Sequence, residues 1–177
     1  MKKLNENTKS VIVLTVICLV VTALLAVTNS FTSPVIARSR ADKIQKSLKS
    51  VLPNAEGFEE IELPEGAPST VKSVYKAADG SYAVVLATMS SYSSGDMGIT
   101  AGVSPDGKLE GVTITSYRES KDFGKDTYPL NYIGVTGENY ADVDAFAGVT
   151  YSSKAFKKAI GDAFAVIKLI EEGGEIN

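Results

Sequence analysis

The sequence predicts an α+β protein: a single N-terminal transmembrane helix followed by an antiparallel sheet packed with helices. Three observations predict it. No charged residue occurs from Ser10 to Ala37, and Val11 to Thr28 is almost wholly apolar. Runs of β-favouring residues flank two turn signatures, Ala78-Asp79-Gly80 and Ser104-Pro105-Asp106-Gly107. A last stretch, from about Ser152 to Glu172, repeats apolar residues at helical spacing.

A bilayer core takes roughly 20 apolar residues as helix, so the N-terminal run is long enough to span. Lys2, Lys3 and Lys9 ahead of it would also suit a secretory signal. The run is longer than a signal's apolar region, however, and no clean Ala-x-Ala site follows. Both features favour a retained anchor. After Pro34 the pattern continues, with Ile44, Leu48, Val51 and Leu52 on one helical face until Pro53-Asn54 stops it. The chain of 177 residues therefore divides into a short tail (1–9), a transmembrane helix (10–33), an amphipathic juxtamembrane helix (34–54) and one folded domain (55–177).

Within that domain, Ala55 to Ser69 is acidic, contains Pro64 and Pro68, and reads as surface loop. Strands are expected at Val71–Ala77, Tyr82–Met89, Gly98–Val103 and Leu109–Tyr117. In the last of these Val112 and Ile114 alternate with Thr113 and Thr115, as in a half-buried strand. The Ser/Tyr/Gly stretch from Ser90 to Asp96 separates the two hairpins. Residues 118–147 are loop-rich, with a short helix expected near Tyr128–Ile133. The final helix aligns Phe156, Ala159, Ile160, Ala163, Phe164, Ile167 and Ile170 on one face, and Gly173-Gly174 ends it.

Charge divides along the chain. Residues 1–49 carry eight Lys/Arg against Glu6 and Asp42; residues 50–177 carry ten against nineteen Asp/Glu. An acidic domain lacks the basic footprint of nucleic-acid binding, while the basic juxtamembrane stretch suits anionic membrane lipid. Orientation stays open on charge alone. Arg38, Arg40, Lys43, Lys46 and Lys49 outnumber the N-terminal lysines, which by naive count places the domain in the cytoplasm, but the rule weakens for long translocated domains. Histidine is absent and Cys18 is the only cysteine. Disulfides, cysteine-ligated clusters, His-ligated metals and His-dependent triads are thereby excluded, and no metal site or catalytic group is expected.

One segment could carry chemistry: Asp144-Ala-Phe-Ala-Gly-Val-Thr-Tyr-Ser-Ser153. Ser152 and Ser153 are good N-caps, which places Thr150 just before the first turn of the last helix. Free N–H groups and the positive end of the helix dipole there would stabilise a phosphate. Gly148 permits close backbone approach, and Lys154 would add positive charge. Taken alone, the segment is also a common sort of loop entering a capped helix.

Asp144-x-x-Ala147-Gly148-Val149-Thr150 resembles the D-x-x-[SA]-G-A-T flavinylation motif of FMN-binding domains, with Val149 in the usual Ala place and Ala147 in the commoner Ser place. Gly95 to Val112 is similar to the strand–turn–strand of the same domains. Tyr117-Arg-Glu119-Ser120-Lys-Asp-Phe-Gly124 resembles their H-x-E-T-x-G-x-G loop, with Ser120 for Thr. Together with the single span and the chain's size, the resemblance covers nearly the whole sequence and is to the NqrC/RnfG FMN-binding domain family, on its RnfG branch.

That resemblance implies covalent FMN, joined through a phosphodiester to Thr150 by a flavin transferase that recognises Asp144 and Gly148. It implies contacts from Gly148, Val149, Ser152, Ser153 and Lys154 to phosphate or ribityl oxygens. Met97-Gly98 and Glu119-Ser120 would lie against the isoalloxazine ring, although Met97 reads equally as a core gap-filler and Glu119 as a solvated loop acid. The implied partners are the other Rnf subunits, particularly RnfD and the RnfA/RnfE pair. The implied role is an electron-transfer subunit, not a catalyst on its own, in a complex coupling ferredoxin oxidation and NAD⁺ reduction to sodium or proton transport. A covalent flavin makes physical sense outside the cytoplasm, where a dissociated FMN has no pool to replace it, so the domain is expected on the extracytoplasmic face of the cell membrane. Two alternatives remain: an FMN carrier of another extracytoplasmic route, NqrC-like or for extracellular electron export, and a non-redox membrane-tethered interaction module.

Overall fold

The apolar N-terminal run forms the first part of helix α1 (Glu6–Val51), which continues through Pro34 without a break. The computed structural model describes residues 6–89, 95–118 and 124–174, in two compact units that divide between Asp42 and Lys43. The helical segments expected on either side of Pro34 are thus one helix. Proline removes a single N–H from the ladder, and that loss does not end the helix here.

In the first unit the large apolar side chains from Val11 to Val27 are exposed, so this stretch is no core helix of a soluble fold. It is long and apolar enough to cross a membrane. Its hydroxyls are compatible with that. Thr15, Thr22, Thr28, Ser30 and Thr32 each donate to the backbone carbonyl four residues earlier, at 2.7–2.9 Å. A hydroxyl with such an internal partner needs no water, which a lipid interior cannot supply.

The second unit is built on a five-stranded antiparallel sheet in simple sequential order. Its strands are β1 (Glu59–Ile61), β2 (Val71–Lys76), β3 (Tyr82–Thr88), β4 (Met97–Val103) and β5 (Leu109–Ser116). Four of them lie where the sequence predicts. β1 lies in the stretch expected to be loop: three residues, two of them glutamates, that form an edge by pairing with Val74–Lys76.

Strand alternation divides the side chains between two cores. One face turns Val74, Val84, Leu86, Ile99, Ala101 and Val103 toward the C-terminal helix α2 (Thr150–Gly174) and a 3₁₀ turn, Tyr128–Tyr132. Helix α2 answers with Phe156, Ala159, Ile160, Ala163, Val166 and Ile167. The opposite face packs Tyr75, Ala77 and Ala83 against Leu48, Val51 and Leu52 at the end of α1. Here Thr100 donates to Ser47 at 3.1 Å, so two buried hydroxyls satisfy each other. The helix end approaches so closely that a β-carbon on Gly102 would stand 2.7 Å from the Leu52 side chain.

Candidate functional site

Helix α2 begins at Thr150, ahead of the expected Ser152. Its first ladder bond runs from the Ser153 N–H to the Val149 carbonyl, at 3.1 Å. Val149 is therefore the half-helical residue at this end, and neither serine is the cap. Both face inward: Ser152 is nearly buried and Ser153 is fully buried. The sequence rule places a serine at the N-cap because its hydroxyl can bind a first-turn N–H. Ser153 instead uses its hydroxyl on the loop behind the helix, accepting the Phe146 N–H at 3.1 Å and donating to the Val149 carbonyl at 3.0 Å.

Thr150 is exposed, as are Asp144, Ala147, Gly148, Tyr151 and Lys154, whereas Val149 is half-buried against the core. Gly148 adopts φ +83°, a conformation that side chains with a β-carbon disfavour, and has open space where one would stand. The first turn of α2 carries no acid. With Lys154 one turn after Thr150 and no acid in that first turn, the helix end favours an anion. The residues thus present an accessible oxygen nucleophile at the positive end of a 25-residue helix. They fit a phosphate-bearing group joined at Thr150.

The loop before Thr150 rests on aromatic side chains. Tyr128, 2% exposed, donates from its hydroxyl to the Asp144 carbonyl at 3.0 Å. Its ring meets Phe146 edge-on, with centroids 6.0 Å apart, and also Tyr132 and Phe156. Tyr132 lies 3.1 Å from the Tyr128 hydroxyl. Since the Tyr128 hydrogen is on Asp144, Tyr132 is the donor of that pair. Burial and this bond both raise the Tyr132 pKa above the ordinary phenol value.

Glu119 and Ser120 lie outside the described residues, but both flanks of their loop are placed. Before it, Arg118 crowds Gly95, where a β-carbon would stand 2.8 Å from the arginine Cδ. After it, Gly124 lies beside Phe146, with 3.5 Å from the site of its missing β-carbon to the ring. The described flanking residues thus lie next to the start of β4 on one side and next to the Thr150 segment on the other.

The direction of α2 puts these elements at one end of the sheet. Its C-terminal half, from Gly161 to Glu171, borders a cleft of about 710 Å³ together with Tyr82, Val103 and the Ser104–Gly107 turn. Those mark the start of β3 and the end of β4. The N-terminus of α2 consequently points to the other end, where β4 starts at Met97 and β5 finishes at Ser116. Met97 itself is fully buried and packs in the core, while the Gly98 N–H is held by the Ser116 hydroxyl at 3.0 Å. The cleft lies away from Thr150. Among the described residues no cluster of acidic, Cys or His side chains could hold a metal.

Sequence reasoning placed Tyr128 only in a short helix and gave Phe146 no role. The signal available was a tyrosine pair four residues apart in a polar, loop-rich passage, where buried aromatics must have hydrogen-bond partners.

Comparison with known proteins agrees with this arrangement. Residues 93–165 match the FMN-binding domain, which takes in β4, β5, the Tyr128 turn and most of α2. Residues 1–51 match the RnfG N-terminal region. The chain is also 29% identical over 178 residues to the G subunit of the ion-translocating oxidoreductase complex of Methanosarcina acetivorans, covering 90% of this chain and 93% of that protein. An N-terminal region and an FMN-binding domain are thus both matched along one chain, and the chain is similar to the G subunits of ion-translocating oxidoreductase complexes.

Proposed function

We propose that this chain is a membrane-anchored electron carrier with FMN joined covalently to Thr150, acting as one subunit of an ion-translocating oxidoreductase complex. The observation that carries this reading is the exposed Thr150 hydroxyl at the head of α2, behind a Gly148 that only a permissive backbone allows. The attachment is a substitution at phosphorus. The Thr150 oxygen bonds to the FMN phosphate of a donor such as FAD, the bond to the donor's leaving group breaks, and the hydroxyl proton departs. A flavin transferase catalyses this, and Asp144 and Gly148 belong to what it recognises.

Once bound, FMN supplies the redox chemistry. The chain's own residues hold and shield it. The head of α2 and Lys154 balance the phosphodiester charge. The backbone at Gly98 and the loop carrying Glu119 and Ser120 border the ring. The N-terminal helix, retained as a single span, keeps the domain at the membrane, on the extracytoplasmic face. The relative's place in an ion-translocating complex supports partners of the same kind: the RnfD-like flavin subunit and the RnfA/RnfE-like pair. Electrons passing from ferredoxin to NAD⁺ would be relayed here while sodium or protons are moved.

In-gel flavin fluorescence after denaturation tests the reading, with the protein made beside an active flavin transferase. Wild type is expected to fluoresce and Thr150→Ala to be dark. A dark wild type would remove the carrier reading.

A further inference from the structure

We propose that Tyr128 and Ser153 are positioning residues for the modification of Thr150: their buried hydroxyls hold the Asp144–Val149 loop in the shape the modifying enzyme engages. The inference rests on the reading of Thr150 as the attachment point, and adds what prepares it.

The loop has almost no core of its own. Asp144, Ala145, Ala147 and Gly148 are exposed, and Phe146 keeps 41% of its surface accessible. A short exposed stretch of Ala and Gly would sample many backbone conformations if nothing held it. Two anchors do hold it, and neither belongs to the loop. Tyr128 reaches it from 16 residues earlier and fixes the Asp144 carbonyl. Ser153 reaches back from α2 and takes both the Phe146 N–H and the Val149 carbonyl. A backbone bond from the Val149 N–H to the Phe146 carbonyl, at 3.3 Å, closes the turn between them.

Each anchor is oriented from behind. Tyr132, fully buried, donates to Tyr128 and so directs the Tyr128 hydrogen toward Asp144. Ser153 lies on a helix face packed into the core, adjacent to Val149 and three residues ahead of the fully buried Phe156. The serine hydroxyl is thus committed to the loop. It shapes the acceptor and leaves the contact with phosphate to exposed groups.

A modifying enzyme that binds one loop shape sees an affinity reduced by the fraction of time the loop spends elsewhere. Removing an anchor should therefore raise the KM for this chain as acceptor and leave kcat nearly unchanged. The test uses the full-length chain purified in detergent from cells without the transferase. It is then labelled by purified flavin transferase with FAD. Ser153→Ala and Tyr128→Phe each delete one hydroxyl with little change of volume. Ser47→Ala deletes a buried hydroxyl on the other face of the sheet and serves as comparator.

The expected result is a KM about fivefold higher in each of the two loop variants, the loss typical of one hydrogen bond. Ser47→Ala keeps the wild-type KM. Amide hydrogen exchange at Phe146 should also speed up in Ser153→Ala before any flavin is attached. An unchanged KM in both loop variants, or an equal rise in Ser47→Ala, overturns the proposal while Thr150 attachment stands. No label on the wild type removes the attachment reading itself, and the proposal with it.

Discussion

Gly111 in β5 lies directly under Val51 at the end of α1: a β-carbon on Gly111 would stand 2.3 Å from the Val51 carbonyl oxygen. The atoms it would strike are backbone, so no rotamer change can relieve the clash. Gly111→Ala is expected to destabilise the domain by about 1–3 kcal/mol, the usual range for overpacking. Denaturant unfolding should show a lower midpoint with an unchanged slope.

Asp162 ties α2 to the strand side of the domain. It accepts from the Thr70 hydroxyl at 2.6 Å and from Lys158 at 2.5 Å. The carboxylate side chain is only 17% exposed, but the lysine is 64% exposed. Asp162→Ala should cost about 1–2 kcal/mol, mainly through the lost Thr70 bond. Lys158→Ala should cost less than about 1 kcal/mol. A double-mutant cycle pairing Thr70→Val with Asp162→Ala checks this, and zero coupling would contradict it.

Tyr132 makes stability depend on alkaline pH. Its pKa is raised in the folded protein, first by burial and then by the bond to Tyr128. The folded state therefore keeps a proton that the unfolded state loses above the ordinary value of 10.0. Its contribution is fully present below that pH and declines as pH rises beyond it. Tyr75 is raised in the same direction, again mainly by burial. Urea midpoints should fall as pH passes about 10, and Tyr132→Phe should flatten but not abolish the slope, because Tyr75 remains.

On the proposed attachment at Thr150, chemistry and stability separate at this residue. It is exposed, so Thr150→Ser and Thr150→Val should each change stability by less than about 0.5 kcal/mol. The serine variant keeps an oxygen nucleophile and should still carry flavin in a denaturing gel, and the valine variant should not. Fluorescence in Thr150→Val would place the attachment elsewhere.

Much of the fold was legible because short-range patterns encode it. Val84 and Leu86 face one core and Ala83 the other by simple alternation, and the strands flanking Gly80 and Gly107 end where their turns begin. The periodic face of α2 was readable for the same reason, although Val166 joins it unforeseen. β1 was not legible. Glu59 and Glu60 have no strand propensity, and their conformation comes from pairing with Tyr75 and Lys76.

The sequence by itself determined the apolar run, the order of hairpins and terminal helix, and the hydroxyl at Thr150 that a phosphoester needs. Each depends on residue identity and spacing within a few positions, where propensity and period act directly. Only the tertiary structure decided that α2 starts at Thr150 and that Ser153 faces inward. It also decided that Tyr128 carries the Asp144 backbone. A hydroxyl can cap its own helix or bond a distant loop. That choice depends on which polar groups folding buries beside it, so residues far apart in the chain must first be brought together.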